Sequence, residues 1–187
     1  MSKTALIIVD MVYDFTNPNG LAFYPQTRDI LPNIVKAIDI CRENHILIVF
    51  MQHCHRKNKF DKNLIKMRPT CIEGSGGEAI DSSLTVLPQD YVIKKRRYSA
   101  FFSTDLDLVL REHDVRRVIF AGAKTNCCIR ATVTDAYNLD YEVYVLSDCV
   151  ATNDETVNRV HLTDIDKYFG CVITLEQLPE LLRGDLA

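Results

Sequence analysis

The chain has 187 residues, 47% of them hydrophobic and 25% charged, with a formal net charge of −3. That is about one globular domain with enough apolar residues for a core, and it excludes a disordered tail. The acidic balance gives no global footprint for nucleic acid, and no apolar run approaches the ~18 residues that a membrane helix needs.

The first apolar run, residues 4–9, is short and β-branched and ends at Asp10. The acid interrupts what would otherwise resemble a secretory segment. Further strands are predicted at residues 46–51, 91–93, 117–121, 142–146 and 171–174. Several lack polar alternation, as expected of strands buried on both faces of a parallel sheet. Helical spacing lies between them. Ile34, Val35, Ile38 and Cys41 form a stripe over 30–42, and Leu106, Leu108, Val109 and Leu110 one over 105–112. Ile129, Val133, Ala136 and Tyr137 do so over 126–139, and two more helices follow at 154–168 and 175–182. The order predicts one α/β domain over 1–187, with a doubly wound, six-stranded, mainly parallel sheet and helices on both faces. Residues 53–90 have no clear core pattern, which marks them as a functional rim.

Ligands in such sheets bind beyond the carboxyl ends of the strands. Strand one ends at Asp10, strand two near His53 and His55, and strand three at Lys94 or Lys95. Strand four runs into a helix that begins Asn126-Cys-Cys128, and strand five ends at Ser147 and Asp148. An acid, a lysine and a helix-start cysteine therefore converge on one edge. A thiol there has reason to react, since a helix N-terminus or a nearby cation lowers its ordinary pKa of about 8.5. The seven cysteines are odd in number and irregular in spacing, which fits a reduced, cytoplasmic protein better than a disulfide framework. Adjacent Cys127 and Cys128 are poorly placed to bridge each other.

Four segments carry a resemblance. They are Ala5-Leu-Ile-Ile-Val-Asp-Met-Val-Tyr-Asp-Phe15, the stretch from Asp90 through Lys-Lys-Arg-Arg-Tyr-Ser-Ala-Phe-Phe to Leu106, Gly122-Ala-Lys-Thr-Asn-Cys-Cys-Ile-Arg-Ala-Thr-Val-Thr-Asp-Ala136, and Tyr141-Glu-Val-Tyr-Val-Leu-Ser-Asp148. In order and in register, they resemble the isochorismatase-like cysteine hydrolases. The resemblance implies an Asp-Lys-Cys triad at Asp10, Lys95 and Cys128, with Lys95 chosen over Lys94 and Cys128 over Cys127. It implies a cis peptide at Ala123–Lys124, which turns the Lys124 amide beside the Cys128 amide as an oxyanion hole. Such a bond costs about 3–4 kcal/mol without proline. Phe15, Tyr98 and Phe101 are the substrate-binding candidates, with core packing the alternative for Tyr98 and Phe101.

Relatives of the nicotinamidase kind carry a metal on an Asp-x-His step after strand two. The corresponding positions here are His53 and His55, without the acid, and no third histidine lies between His55 and His113. No metal and no cofactor are therefore expected, with edge packing or substrate contact as the role of the histidines. The implied activity is thioester-mediated hydrolysis of a small amide, ureido or carbamoyl compound with release of ammonia. The alternatives are vinyl-ether cleavage of the isochorismatase type or a non-catalytic binding module. The implied partners are a small-molecule substrate and further copies of the chain, as a dimer or tetramer, with neither nucleic acid nor membrane.

Overall fold

The computed structural model describes residues 3–184, so residues 1–2 and 185–187 of the expected 1–187 domain lie outside the described residues. All six expected strands form: β1 (Lys3–Val9), β2 (Leu47–His53), β3 (Tyr91–Lys95), β4 (Val115–Ala123), β5 (Glu142–Ala151) and β6 (Cys171–Ile173). They make one sheet in the order β3-β2-β1-β4-β5-β6, and every pairing is parallel.

The helices are α1 (Tyr13–Thr16), α2 (Gln26–Glu43), α3 (Asn63–Lys66), α4 (Leu106–Glu112), α5 (Arg130–Asn138), α6 (Glu155–Tyr168) and α7 (Leu178–Arg183). A π-helical turn, Thr125–Ile129, leads into α5. Alternation along the strands divides the core into two layers. Ala5, Ile7, Val9, Val118 and Phe120 face α4, α5 and α6. Leu6, Ile8, Ile48, Phe50 and Ile119 face α2 and α7. The sheet is thus doubly wound, as the strand pattern predicts. Among the described residues no helix is long and apolar enough to cross a membrane.

The strand order reverses between β1 and β4. The chain leaves β1 toward one face and leaves β4 toward the other, which opens a crevice at their carboxyl ends. The two strands approach closely there. A Cβ built on Gly122 would lie 2.1 Å from the carbonyl oxygen of Val9, and the backbone at Gly122 has φ +119°. Gly122→Ala should therefore cost more than about 2 kcal/mol, from strain and displaced backbone together. Urea denaturation of the two proteins checks this, and an unchanged midpoint would contradict it.

One expected boundary is corrected. Strand five does not end at Ser147 and Asp148. Its register with β4 passes from Phe120↔Val145 to Gly122↔Val150, so β5 bulges through 146–149 and continues to Ala151. Asp148 holds the α7 end of the chain instead, accepting the Leu175 amide at 2.9 Å. The strand end near the crevice is Ala151, followed by Thr152 and Asn153.

Residues 53–90 wrap the same edge. Asp14 Oδ2 accepts the Cys71 amide at 2.6 Å, and Asp14 N–H donates to Gly77 O at 2.9 Å. Asp81 accepts from Thr16 Oγ1 at 2.6 Å, and Val12 bridges Ile80. Two buried carboxylates thereby fasten a segment with little core of its own.

Candidate active site

Asp10 follows β1 in the left-handed region at φ +58° and is wholly buried. Its amide donates to Met51 O at 2.9 Å, which fixes the turn as β1 ends. Asparagine and aspartate tolerate this conformation better than most residues, and such outliers concentrate at functional sites. Lys95 arrives from the edge strand β3. Period-two alternation puts Ile93 and Lys95 inward and Lys94 outward, where Lys94 meets Glu73 at 2.8 Å. The Lys95 ammonium lies 2.7 Å from Asp10 Oδ2, and neither side chain reaches solvent.

Cys128 sits in the π-helical turn after β4, buried among the apolar residues of the α5 layer. Asp10, His53 and Cys128 each present a ligand atom within 4.8 Å of the others. A cis peptide joins Ala123 to Lys124. The structure thus brings Asp10, Lys95 and Cys128 together, with Lys124 at the start of the turn that carries the cysteine.

Burial pushes the Asp10 carboxyl up, but the Lys95 ammonium and the His53 contact more than offset it, and the group lies below the ordinary carboxyl value. Burial also opposes charge on Lys95, yet Asp10 and Cys128 hold its pKa above the usual lysine value. The Cys128 thiol is raised, mainly by burial, with Lys95 opposing and Asp10 reinforcing. The expectation that the helix start and a nearby cation lower the thiol's pKa is therefore corrected, since burial outweighs both. At rest the site holds a carboxylate, an ammonium and a neutral thiol. Iodoacetamide labelling of Cys128 should consequently keep accelerating as pH rises beyond about 8.5, the ordinary thiol value. A rate that levels off near neutral pH would contradict the neutral thiol.

A second row of polar groups backs the ion pair. Lys95 Nζ donates to Arg97 O at 2.9 Å and lies 3.3 Å from His53 Nδ1. His53 Nε2 meets His55 Nε2 at 2.9 Å, and His55 Nδ1 meets Asp61 Oδ2 at 2.9 Å. Arg97 Nη1 donates to Asp61 Oδ1 at 3.0 Å. One assignment of protons serves this row: His55 Nδ1–H donates to Asp61, His53 Nε2–H to His55, and Lys95 to His53 Nδ1, whereas the 3.6 Å approach of His53 Nδ1 to Asp10 Oδ2 needs the proton on Nδ1 instead. The histidines do share one side, as their spacing predicts.

As arranged, this pair does not fit a metal. The ring nitrogens that would bind one already bond each other, Asp61 or Lys95. At Asp10, His53 and Cys128, an entering cation would face the Lys95 ammonium.

The substrate-binding candidates divide. Phe15 adjoins the site, its ring centroid 6.0 Å from that of His53. Tyr98 is half-exposed and points its hydroxyl at Met67 Sδ, 3.8 Å away, on the rim. Phe101 stacks on Tyr141 with centroids 5.8 Å apart. Tyr141 precedes β5, so Phe101 faces the opposite end of the sheet and belongs to the core.

Sequence reasoning missed Tyr24, Asp61, Thr70 and Asn153. Tyr24 is buried, donates to Ala151 O at 3.4 Å and carries the Lys124 ammonium 4.7 Å above its ring. Lys124 Nζ donates to Asn153 Oδ1 at 2.8 Å. A cavity of about 460 Å³ opens beside them, lined also by Leu21, Arg68 and Thr70.

The Isochorismatase domain family model matches residues 4–177. The chain belongs to the isochorismatase family. A curated relative from Arabidopsis thaliana, named "probable inactive nicotinamidase", is 31% identical across 96% of each chain. An isochorismatase-like hydrolase structure from Alkaliphilus metalliredigens superposes with a TM-score of 0.91 and 32% identity, covering 96% of this chain and 99% of that one. A nicotinamidase structure from Bacillus subtilis gives 0.86 and 28%, covering 92% and 99%. The sheet order and the crevice between β1 and β4 are therefore those of an isochorismatase-family fold.

Proposed function

We propose that this isochorismatase-family protein is a cysteine-dependent hydrolase of small amide, ureido or carbamoyl compounds. The carrying observation is the buried group itself: Asp10 and Cys128 within 4.8 Å, and the Lys95 ammonium 2.7 Å from the carboxylate. Similarity to the Bacillus nicotinamidase, 28% identical, supports amide substrates.

In this reading Asp10 takes the Cys128 proton as sulfur attacks the amide carbon. A resting carboxylate and a resting thiol are the correct starting states for that transfer. Lys95 keeps the carboxylate ionised before attack and balances the thiolate as it forms. The carbonyl oxygen becomes an oxyanion held by the amides of Lys124 and Cys128. The protonated Asp10 returns the proton to the leaving nitrogen, the C–N bond breaks, and ammonia departs. Water then attacks the thioester, losing its proton to Asp10, and the S–C bond breaks. Asp10 reprotonates the sulfur, and the cycle closes with no net change in the enzyme.

Ammonia release across small carboxamides, ureido acids and carbamoyl amino acids tests this reading. The panel includes nicotinamide, because the Arabidopsis relative carries the name "probable inactive nicotinamidase". Turnover of at least one compound is expected. Silence across the panel by folded protein would contradict the reading.

A further inference from the structure

The cavity beside the crevice has an uncommon charge pattern. Arg68 and Lys124 both line it, and no aspartate or glutamate does. Neither cation takes part in an ion pair among the described residues. Arg68 Nη1 donates to Leu21 O at 3.0 Å, and Lys124 Nζ to Asn153 Oδ1 at 2.8 Å, both neutral acceptors. The second wall is polar: Thr70 is 2% exposed, and its hydroxyl has only the weakly accepting Cys71 thiol beside it.

The opposite end of the sheet offers a comparison within the same molecule. A cavity of about 460 Å³ there is also lined by cations, Lys3 and Arg117. Those two are neutralised, by Asp114 at 3.1 Å and by Glu142 at 3.0 Å. Of these two cavities, the one lined by Lys124 gathers cations without a carboxylate to pair them among the described residues.

The surroundings extend the field. Between residues 56 and 68 the chain carries six lysines and arginines against the single acid Asp61, in a protein of net charge −3. Clefts lined by one sign of charge concentrate oppositely charged small molecules. Guanidinium groups bind carboxylates through paired, charge-assisted hydrogen bonds. Lys124 also connects this cavity to the chemistry, since it caps the turn that holds Cys128.

We propose that the cavity is an anion subsite, and that the substrate is a small amide or ureido compound bearing a carboxylate. The carboxylate sits between the Arg68 guanidinium and the Lys124 ammonium, within reach of the Thr70 hydroxyl. The amide carbon then lies toward Cys128. This inference rests on the amide-hydrolase reading for the identity of the reacting group, but the anion subsite stands on the cavity alone.

The test uses a matched pair, succinamate and its neutral isostere succinamide. Binding is measured by calorimetry on full-length Cys128→Ala protein, which cannot form a thioester. Succinamate should bind about tenfold tighter or more, as hydrogen bonds to charged groups allow. The gap should shrink to about twofold in Arg68→Gln and in Lys124→Gln, since each substitution removes one of the two charges. Equal binding, no binding of either compound, or a gap that survives both substitutions would overturn the subsite. Turnover by wild-type protein separates the two claims. If succinamide is hydrolysed as fast as succinamate, the subsite is wrong and the amidase reading survives. If neither is hydrolysed while the binding gap holds, and the wider panel is silent as well, the subsite stands and the amidase reading fails.

Discussion

Cys128→Ala should lower ammonia release by at least about a thousandfold, because removing a nucleophile removes the covalent route entirely. Cys127→Ala should keep most of the activity. The two thiols are neighbours in sequence but not in environment. Cys128 is buried within 4.8 Å of Asp10 and His53. Cys127 is half-buried and has Lys124 as its charged neighbour. Both variants should fold, since each loses one small group. Ammonia assays with matched circular dichroism check the pair. An inactive Cys127→Ala beside an active Cys128→Ala would place the nucleophile one residue earlier.

Lys95→Met should destabilise the protein by about 3–5 kcal/mol, as expected when one partner of a fully buried ion pair is removed. The loss comes from the Asp10 carboxylate, which would stay buried without its counter-charge. Asp10→Asn added to Lys95→Met should recover part of it, because the second change removes the stranded charge. Lys94→Ala, one residue away on the solvent side of β3, should leave the midpoint nearly unchanged.

The pH dependence follows from the shifts. The Asp10 carboxyl is depressed, so its stabilisation is present above the ordinary value of about 4 and lost as pH falls through the lower native value. Lys95 is raised, so its share persists up to the ordinary lysine value of about 10.4 and is lost only as pH rises through the higher native one. In Lys95→Met the stranded carboxyl keeps the upward push of burial without its largest counterweight, so the gap between wild type and variant should be widest at high pH and narrow as pH falls through the variant's raised carboxyl value. Urea midpoints at several pH values measure it. A gap that stays the same from strong acid to alkaline pH would contradict the buried pair.

Much of the architecture was legible because burial on both faces writes itself as uninterrupted apolar runs. The six runs all became strands, and the acid, lysine and cysteine that follow three of them meet at the crevice. The choice of Lys95 over Lys94 rested on the family motif. In the structure, alternation from Ile93 turns Lys95 inward, to the Asp10 carboxylate.

The rest was illegible for reasons that are equally physical. The bulge in β5 has no strong local signature, so Ser147 and Asp148 read as a strand end. Phe101 follows a site motif in sequence, but an aromatic ring goes where apolar surface is available, and Tyr141 offers it. Asp14 and Asp61 serve groups 57 and 6 residues away, Cys71 and His55, and a single sequence does not encode such pairings. The histidine pair has its partners in Asp61 and Lys95, at the two ends of a hydrogen-bonded row that spacing alone does not reveal. Lys124 was expected to act through its backbone alone, yet its side chain also forms a wall of the adjoining cavity.

The most direct measurement is rapid-quench intact mass spectrometry on wild-type protein mixed with a hydrolysed amide from the panel. The mechanism predicts a transient species heavier by the acyl group, with ammonia lost, that maps to the Cys128 peptide and never forms in Cys128→Ala. Steady hydrolysis with no adduct at any quench time, or an adduct on another residue, would contradict nucleophilic attack by Cys128.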